Sequence, residues 1–198
     1  MRFKLAATGG TFDRFHKGHA ALLRKAFSVA DRVVIGLTTD EFVAKFKRKK
    51  WRKIIEPYVE RLRVLKNFLK RHDWLRRAVI SPLNDVAGPA LYTDEVGCVV
   101  CSTETARGAR EVNALRKKRA LQPLPIVVCS LVLSEDEQPI SSTRMRCGEI
   151  NRVGKLFFDA RLFPHIRKIT PVLVKLLRKP FGKLFREPNA AKKALPVV

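Results

Sequence analysis

The 198-residue chain has little cysteine, little acid and no long apolar run. Four cysteines are too few, and their valine-rich settings too apolar, for a disulfide scaffold. Cys98 and Cys101 form a C-x-x-C, yet Val-Gly-Cys-Val-Val-Cys reads as a buried strand whose positions three apart face opposite sides. Packing, rather than redox or metal chemistry, is expected of them. Nothing approaches the ~20 apolar residues that span a bilayer. The longest candidate, residues 126–133, is interrupted by Cys129 and Ser130 and predicts a core strand. The opening Met-Arg-Phe-Lys carries no long apolar core or cleavage signature, so a cytoplasmic protein without a membrane partner is expected. No carboxylate or cysteine cluster with zinc spacing accompanies the histidines, and no protein-built metal cage is expected. Acid is scarce: 18 Asp and Glu face 41 Lys and Arg, a formal charge of +23. Lys45, Lys47, Arg48, Lys49, Lys50, Arg52 and Lys53 form one basic run, and twelve more basic residues follow residue 150 against Asp159 and Glu187. Such a balance suits nucleic acid, an anionic surface or a polyphosphate substrate, and charge alone does not choose among them.

What is present is concentrated in residues 8–19, Thr-Gly-Gly-Thr-Phe-Asp-Arg-Phe-His-Lys-Gly-His. They join a strand-like run, residues 3–7, to a helix-like run, residues 20–29, which is the setting of a phosphate-handling loop. Gly9 and Gly10 let main-chain N–H groups approach a ligand closely. A helix beginning near Gly18 points its unsatisfied N–H groups and its positive dipole end at the same place. His16 and His19 lie three apart at that helix mouth as imidazole donors, Lys17 adds charge and Thr11 a hydroxyl.

Strand and helix signals alternate along the rest of the chain. Residues 32–37 read as a buried strand, and Thr38, Thr39 or Asp40 caps a helix starting near Glu41. The basic run, with Trp51 in its middle, reads as a loop. Pro57 opens a helix whose Leu62, Leu65, Phe68 and Leu69 share one face, with Arg61, Arg63, Lys66 and Lys70 mostly outside. Further strands are expected at 78–81, 96–101 and 126–133, a helix at 103–120 and a helix start at 141–150. This order predicts an α/β fold, a Rossmann-like doubly wound parallel sheet covered on both faces, with ligands beyond the carboxyl ends of the strands. Residues 8–19 and 101–105 then face one crevice. Residues 1–155 are expected to form the domain. Residues 156–198 form a basic extension, in which Pro171 and Pro180 bracket a short helix and residues 188–198 are expected to be disordered.

Three further segments accompany the loop: I-S-S-T-R-M-R from Ile140, S-T-E-T-A-R-G-A-R-E-V-N from Ser102, and P-Y-V-E-R-L-R-V-L-K-N-F-L from Pro57. With G-G-T-F-D-R-F-H-K-G-H in front, the chain resembles the nucleotidyltransferase superfamily, whose marks are H-x-G-H and I-S-S-T-x-x-R. Within it, residues 3–155 resemble the phosphopantetheine adenylyltransferases of archaeal and eukaryotic type. The resemblance implies transfer of AMP from ATP to 4'-phosphopantetheine, with Mg2+ carried by the ATP phosphates and no nucleic-acid partner. It assigns His16 and His19 to the ATP phosphates, with His19 nearest the α-phosphate. Thr11 bridges the two reacting phosphates, while Gly9, Gly10 and Gly18 let them approach the main chain. Ser141, Ser142, Thr143 and Arg144 take the β- and γ-phosphates. Lys45 or a neighbour such as Lys47 closes on the phosphates, and Ser102, Glu104 and Thr105 either contact adenosine or cap a helix. Arg61 and Asp85 are candidates at the acceptor, and Arg107 and Asn113 read as structural. The family carries Asp-Pro-Tyr-Gly-Pro where this chain has Asp85-Val86-Ala87-Gly88-Pro89, so the turn persists without its ring. The sister cytidylyl-, flavin and nicotinamide enzymes share the loop and the fold.

Overall fold

A computed structural model of the chain describes residues 2–45, 54–86, 88–91 and 93–157. Lys47 and most of the basic run, with the extension from residue 158, lie outside the described residues.

Five parallel strands make the sheet: β1 (Phe3–Gly10), β2 (Ala30–Thr38), β3 (Ala78–Leu83), β4 (Cys98–Ser102) and β5 (Ile126–Cys129), in the order β3-β2-β1-β4-β5. The chain works outward from β1 to one edge and then returns to build the other. The carboxyl end of β1 is therefore the switch point of the sheet, where such folds bind ligands. The register sets Gly9 beside Gly36 and Gly10 beside Leu37, while Ala7 lies beside Val99 of β4.

Two apolar layers cover the faces. On one side, Leu23, Ala26 and Phe27 of α1 (Lys17–Val29) and Leu65, Phe68 and Leu69 of α3 (Tyr58–Arg71) pack on Ala6, Ile35 and Val100. On the other, Ala109 and Val112 of α4 (Ala106–Lys118) pack on Ala7, Val34 and Val99. Alternation along β4 sends Cys98 to the first layer and Cys101 to the second, as the C-x-x-C reading requires. Both are free thiols, and burial raises their pKa, for Cys98 to about 11.

Local chemistry sets the ends of these elements. The short helix α2 (Asp40–Lys45) is capped by Thr39, whose Oγ1 accepts the Phe42 amide at 3.2 Å. Pro57, extended at φ −55° and ψ 151°, precedes α3, and Asp73 at φ 56° follows its end.

Three expectations are corrected here. The strand expected at 126–133 stops at Cys129, because β5 is an edge strand with β4 as its ladder partner, and Leu133 is exposed. Cys129 is accordingly half-buried rather than in the core. The helix expected from 141 is the single short α5 (Ser142–Arg146). Among the described residues, no helix is long and apolar enough to cross a membrane.

Candidate active site

At the end of β1 the backbone turns sharply, with Phe12 and Arg14 both in the left-handed region at φ 50° and 47°. Asp13 between them is buried, and it fastens the loop in three directions. Its Oδ1 accepts the Glu56 amide at 2.9 Å, its carbonyl accepts the Ser142 hydroxyl at 2.7 Å, and its carboxylate pairs with Arg146. Arg146 also donates to Thr143 Oγ1 at 2.8 Å. The loop after β1 and the helix α5, more than a hundred residues apart, are thus joined through a buried ion pair.

That junction places His16 against Ser142. His16 is the N-cap of α1, and its Nδ1 accepts the amides of Gly18 at 3.1 Å and His19 at 3.4 Å. An imidazole that accepts at Nδ1 carries its proton at Nε2 when neutral, and Nε2 lies 3.4 Å from Ser142 Oγ. Burial lowers the His16 pKa to about 4, so at neutral pH the ring is an uncharged donor. The His19 ring stacks on it at 3.7 Å between centroids and leans on Phe12 at 5.1 Å and Phe15 at 5.6 Å. Two histidines at one helix mouth therefore differ: one is fixed by its cap, and the other is held by rings.

A cleft of ≈ 490 Å³ opens along the carboxyl ends of β1, β2 and β4. Gly9, Gly10 and Thr11 form its lip, Val34, Leu83, Val99 and Val112 its apolar walls, and Glu104, Thr105 and Arg107 its polar margin. Of the residues 8–19 and 101–105 expected at one crevice, Thr8, Gly9, Gly10, Thr11, Cys101, Glu104 and Thr105 line this cleft, whereas Phe15, His16 and Lys17 line a separate opening with Arg24 and Arg152. The Leu83 side chain occupies the space that a Cβ at position 36 would fill, so Gly36 lets Leu83 lie down against β2.

Several assigned residues sit differently from the sequence expectation. Arg61 is neither on the solvent face nor turned to a ligand. It is fully buried, and its guanidinium donates to the carbonyls of Glu56 at 2.8 Å, Thr11 at 2.9 Å and Thr38 at 2.7 Å, and to Asp40 at 2.7 Å. Helical spacing put it outside, but position 61 lies under three loop carbonyls that require donors. Arg144 is paired with two carboxylates, Asp136 at 2.6 Å and Glu149 at 3.0 Å. The arginine that reaches the loop is Arg146, the residue on which the I-S-S-T-x-x-R spacing ends. Arg107 is not structural: its side chain is 86% exposed at the cleft, against Glu111 at 3.2 Å. Asn113 is structural, exchanging two 2.8 Å hydrogen bonds with the backbone of Leu124.

The remaining positions are geometrically plain. Ser141 caps α5 by accepting the Arg144 amide at 3.3 Å. Ser102 and Thr105 form a reciprocal capping box. Asp85 closes its turn by accepting the Gly88 amide at 2.6 Å. Lys45 is exposed at the last position of α2. Sequence reasoning overlooked Asp13 and Arg146, although both stand inside the quoted motifs. It also overlooked Glu56, whose Oε2 accepts the Arg14 amide at 2.8 Å, and Thr8, whose buried hydroxyl has no hydrogen-bond partner among the described residues.

A parallel sheet with a histidine-bearing helix mouth at its switch point defines a class, and residues 7–148 match the cytidylyltransferase-like family model. The phosphopantetheine adenylyltransferase of Methanopyrus kandleri is 45% identical over 150 residues, 76% of this chain and 92% of that one. Its namesake from Methanothermobacter thermautotrophicus is 40% identical over 155 residues, covering 78% and 90%. The chain belongs to the cytidylyltransferase-like family, together with these archaeal phosphopantetheine adenylyltransferases. Among solved structures, a protein of unknown function from Archaeoglobus fulgidus superposes with a TM-score of 0.54 at 25% identity, covering 63% of this chain and 97% of that one. The pantoate-beta-alanine ligase of Francisella tularensis gives 0.53 at 14% identity, covering 87% and 72%, a likeness of fold alone.

Proposed function

We propose that the chain transfers the adenylyl group of ATP to 4'-phosphopantetheine, giving dephospho-coenzyme A and pyrophosphate, a step of coenzyme A biosynthesis. One observation carries the reading: the loop that forms the lip of an apolar cleft at Gly9, Gly10 and Thr11 continues through Phe12, on which the His19 ring leans, into the histidine-bearing mouth of α1. The acceptor has the same division. Its phosphate belongs at the lip, near the Arg107 guanidinium, and its uncharged arm belongs between Val34, Leu83, Val99 and Val112. The shared name of the archaeal relatives supports the same acceptor.

The reaction asks for no protein nucleophile. An oxygen of the acceptor phosphate forms a bond to the α-phosphorus of ATP as the bond to the β-phosphate oxygen breaks, and pyrophosphate leaves. Catalysis is then alignment and neutralisation of charge on equatorial and leaving oxygens. In this reading Thr11 stands between the reacting phosphates and His19 faces the α-phosphate. His16 donates from Nε2 while its Nδ1 keeps the helix capped. Because His16 stays neutral, it acts by its N–H dipole rather than by releasing a proton. Ser141, Ser142 and Thr143 flank the leaving phosphates, and Lys45, the described member of the basic run, closes on them.

Mg2+, held by the ATP phosphates, would supply further charge neutralisation. The donor set fits that arrangement: the helix mouth offers imidazole N–H and hydroxyl donors to phosphate oxygens, while the main-chain N–H groups of Lys17, Gly18, His19 and Ala20, expected to be unsatisfied, are taken by the Arg152 carbonyl, His16 Nδ1 and the His16 carbonyl. Among the described residues, no group of three or more His, Cys, Asp and Glu gathers as for a metal ion.

The test is pyrophosphate release with ATP or CTP and Mg2+, offered 4'-phosphopantetheine, nicotinamide mononucleotide and flavin mononucleotide in parallel. Release with ATP and 4'-phosphopantetheine is expected. Release with only another pair moves the chain to a sister activity, and no release with any pair removes the enzymatic reading.

A further inference from the structure

One wall of the cleft is made by Leu83 at the end of β3 and by the connection that follows it to β4, which contributes Val86 and Ala90. Between Leu83 and Cys98 the chain is outside the sheet, so ladder hydrogen bonds do not hold this wall in place. Two polar anchors take over. Asp85 closes the first turn on Gly88. Arg116, in the last turn of α4, holds the rest: Nη1 donates to the carbonyls of Ala90 at 2.6 Å and Thr93 at 2.9 Å, and Nη2 lies 3.3 Å from Asp94. Its Nε donates to the Gln122 carbonyl at 2.8 Å, tying in the turn after α4.

Arg116 is only 1% exposed. A guanidinium is expensive to bury, and an apolar side chain would fill the same space at lower cost. What the guanidinium adds is geometry, since one planar fork fixes several carbonyls at once. Ala90 and Leu91 then press into the same apolar layer as Val99, Ala109 and Val112. The wall and the floor of the cleft become one packed body.

We propose that Arg116 is a positioning residue for the acceptor. It touches no substrate. By holding the Ala90 and Thr93 carbonyls it fixes the far end of the connection, so that Ala90, with Val86 in the turn closed by Asp85, stands as an apolar wall against the uncharged arm of 4'-phosphopantetheine. The proposal rests on reading the cleft as the acceptor pocket. It has particular weight in this chain, because the turn 85–89 carries no aromatic ring and the wall consists of small side chains. Small side chains recognise a ligand by where they stand, and Arg116 decides where they stand. The nucleotide side of the site, at His16, His19 and Ser142, is anchored separately by Asp13 and Arg146, so ATP should not sense the change.

The experiment measures pyrophosphate release by full-length Arg116→Lys, Arg116→Met and Val86→Ala, varying each substrate at saturation of the other. Arg116→Lys is expected to raise KM for 4'-phosphopantetheine about tenfold with kcat and KM for ATP nearly unchanged, the signature of lost uniform binding. Arg116→Met should show a larger rise in the same constant. Val86 is half-exposed, so Val86→Ala leaves the fold intact and should raise the same KM a few-fold. A purely structural arginine would instead lower the unfolding temperature while leaving KM for the acceptor alone, or would shift both KM values and kcat together. Either result overturns the proposal. Should the Arg116 variants not fold, an unchanged acceptor KM in Val86→Ala overturns it, and a selective rise supports it. Failure of the unaltered chain to use 4'-phosphopantetheine would show first, and would count against the function rather than against Arg116.

Discussion

Two histidines three residues apart have different physical characters, and each character makes a prediction. His16 is buried with Nδ1 committed to two amides, and burial lowers its pKa to about 4 from 6.5. The fold thus prefers the neutral ring. Its stabilising effect is fully present above pH 6.5 and is lost as pH falls from 6.5 toward 4, because the unfolded chain takes up a proton that the folded chain refuses. The expected slope in that window is roughly 1.4 kcal/mol per pH unit from this group. His16→Asn keeps a capping acceptor and removes the titration, so urea midpoints at pH 7, 5.5 and 4.5 should fall less than in the unaltered chain. An equal fall would assign the acid sensitivity elsewhere. His19 carries the transition-state charge in the proposed reaction, and His19→Ala should lower kcat by about 10² or more. A near-normal kcat would take His19 out of the chemistry.

At the scale of elements, the site is a junction rather than a single loop. Asp13 ties the loop after β1 to the segment before α3 through Glu56, and to α5 through Ser142 and Arg146. Both members of the Asp13–Arg146 pair are buried, so removing one leaves the other charged and uncompensated. Asp13→Ala is expected to cost about 3 to 5 kcal/mol in denaturant unfolding. In a double-mutant cycle with Arg146→Ala, the two losses should fall short of additivity by more than about 1 kcal/mol. Strict additivity would show that the two elements are held by other contacts. The I-S-S-T-x-x-R motif contained this junction, since Arg146 ends it. What spacing did not disclose was that Arg144, two residues earlier, is claimed by Asp136 and Glu149. Neighbours from 134–136 and 149 are a matter of how loops return, and no periodicity encodes that.

At the scale of the whole molecule, the sheet order and the charge matter most. The order β3-β2-β1-β4-β5 puts the end of β1 between strands whose connections diverge, and the cleft opens there. The chain carries a net charge of +23, which favours encounter with anions. Encounter with a polyphosphate should therefore weaken with salt. Raising ionic strength from about 0.05 to about 0.3 M is expected to raise KM for ATP several-fold while kcat changes little, since the screening length shortens from about 14 Å to about 6 Å over that range. A KM for ATP independent of salt would mean that the charge serves something other than collecting the nucleotide.

Alternating strand and helix signals determined the parallel sheet, because hydrophobic periodicity and capping chemistry are local properties. The same local rules marked the glycines of residues 9–10, the histidines at the mouth of α1 and the opposite-facing Cys98 and Cys101. Tertiary structure decided the fate of the arginines. Arg61 read as surface charge on an amphipathic helix, yet it is buried beneath backbone carbonyls of other segments, and Arg116 is buried in the same way. Arg107, expected to be structural, stands exposed at the cleft. Whether a cation is buried depends on how many acceptors the assembled fold leaves around it, and those acceptors come from segments that only the closed structure brings together.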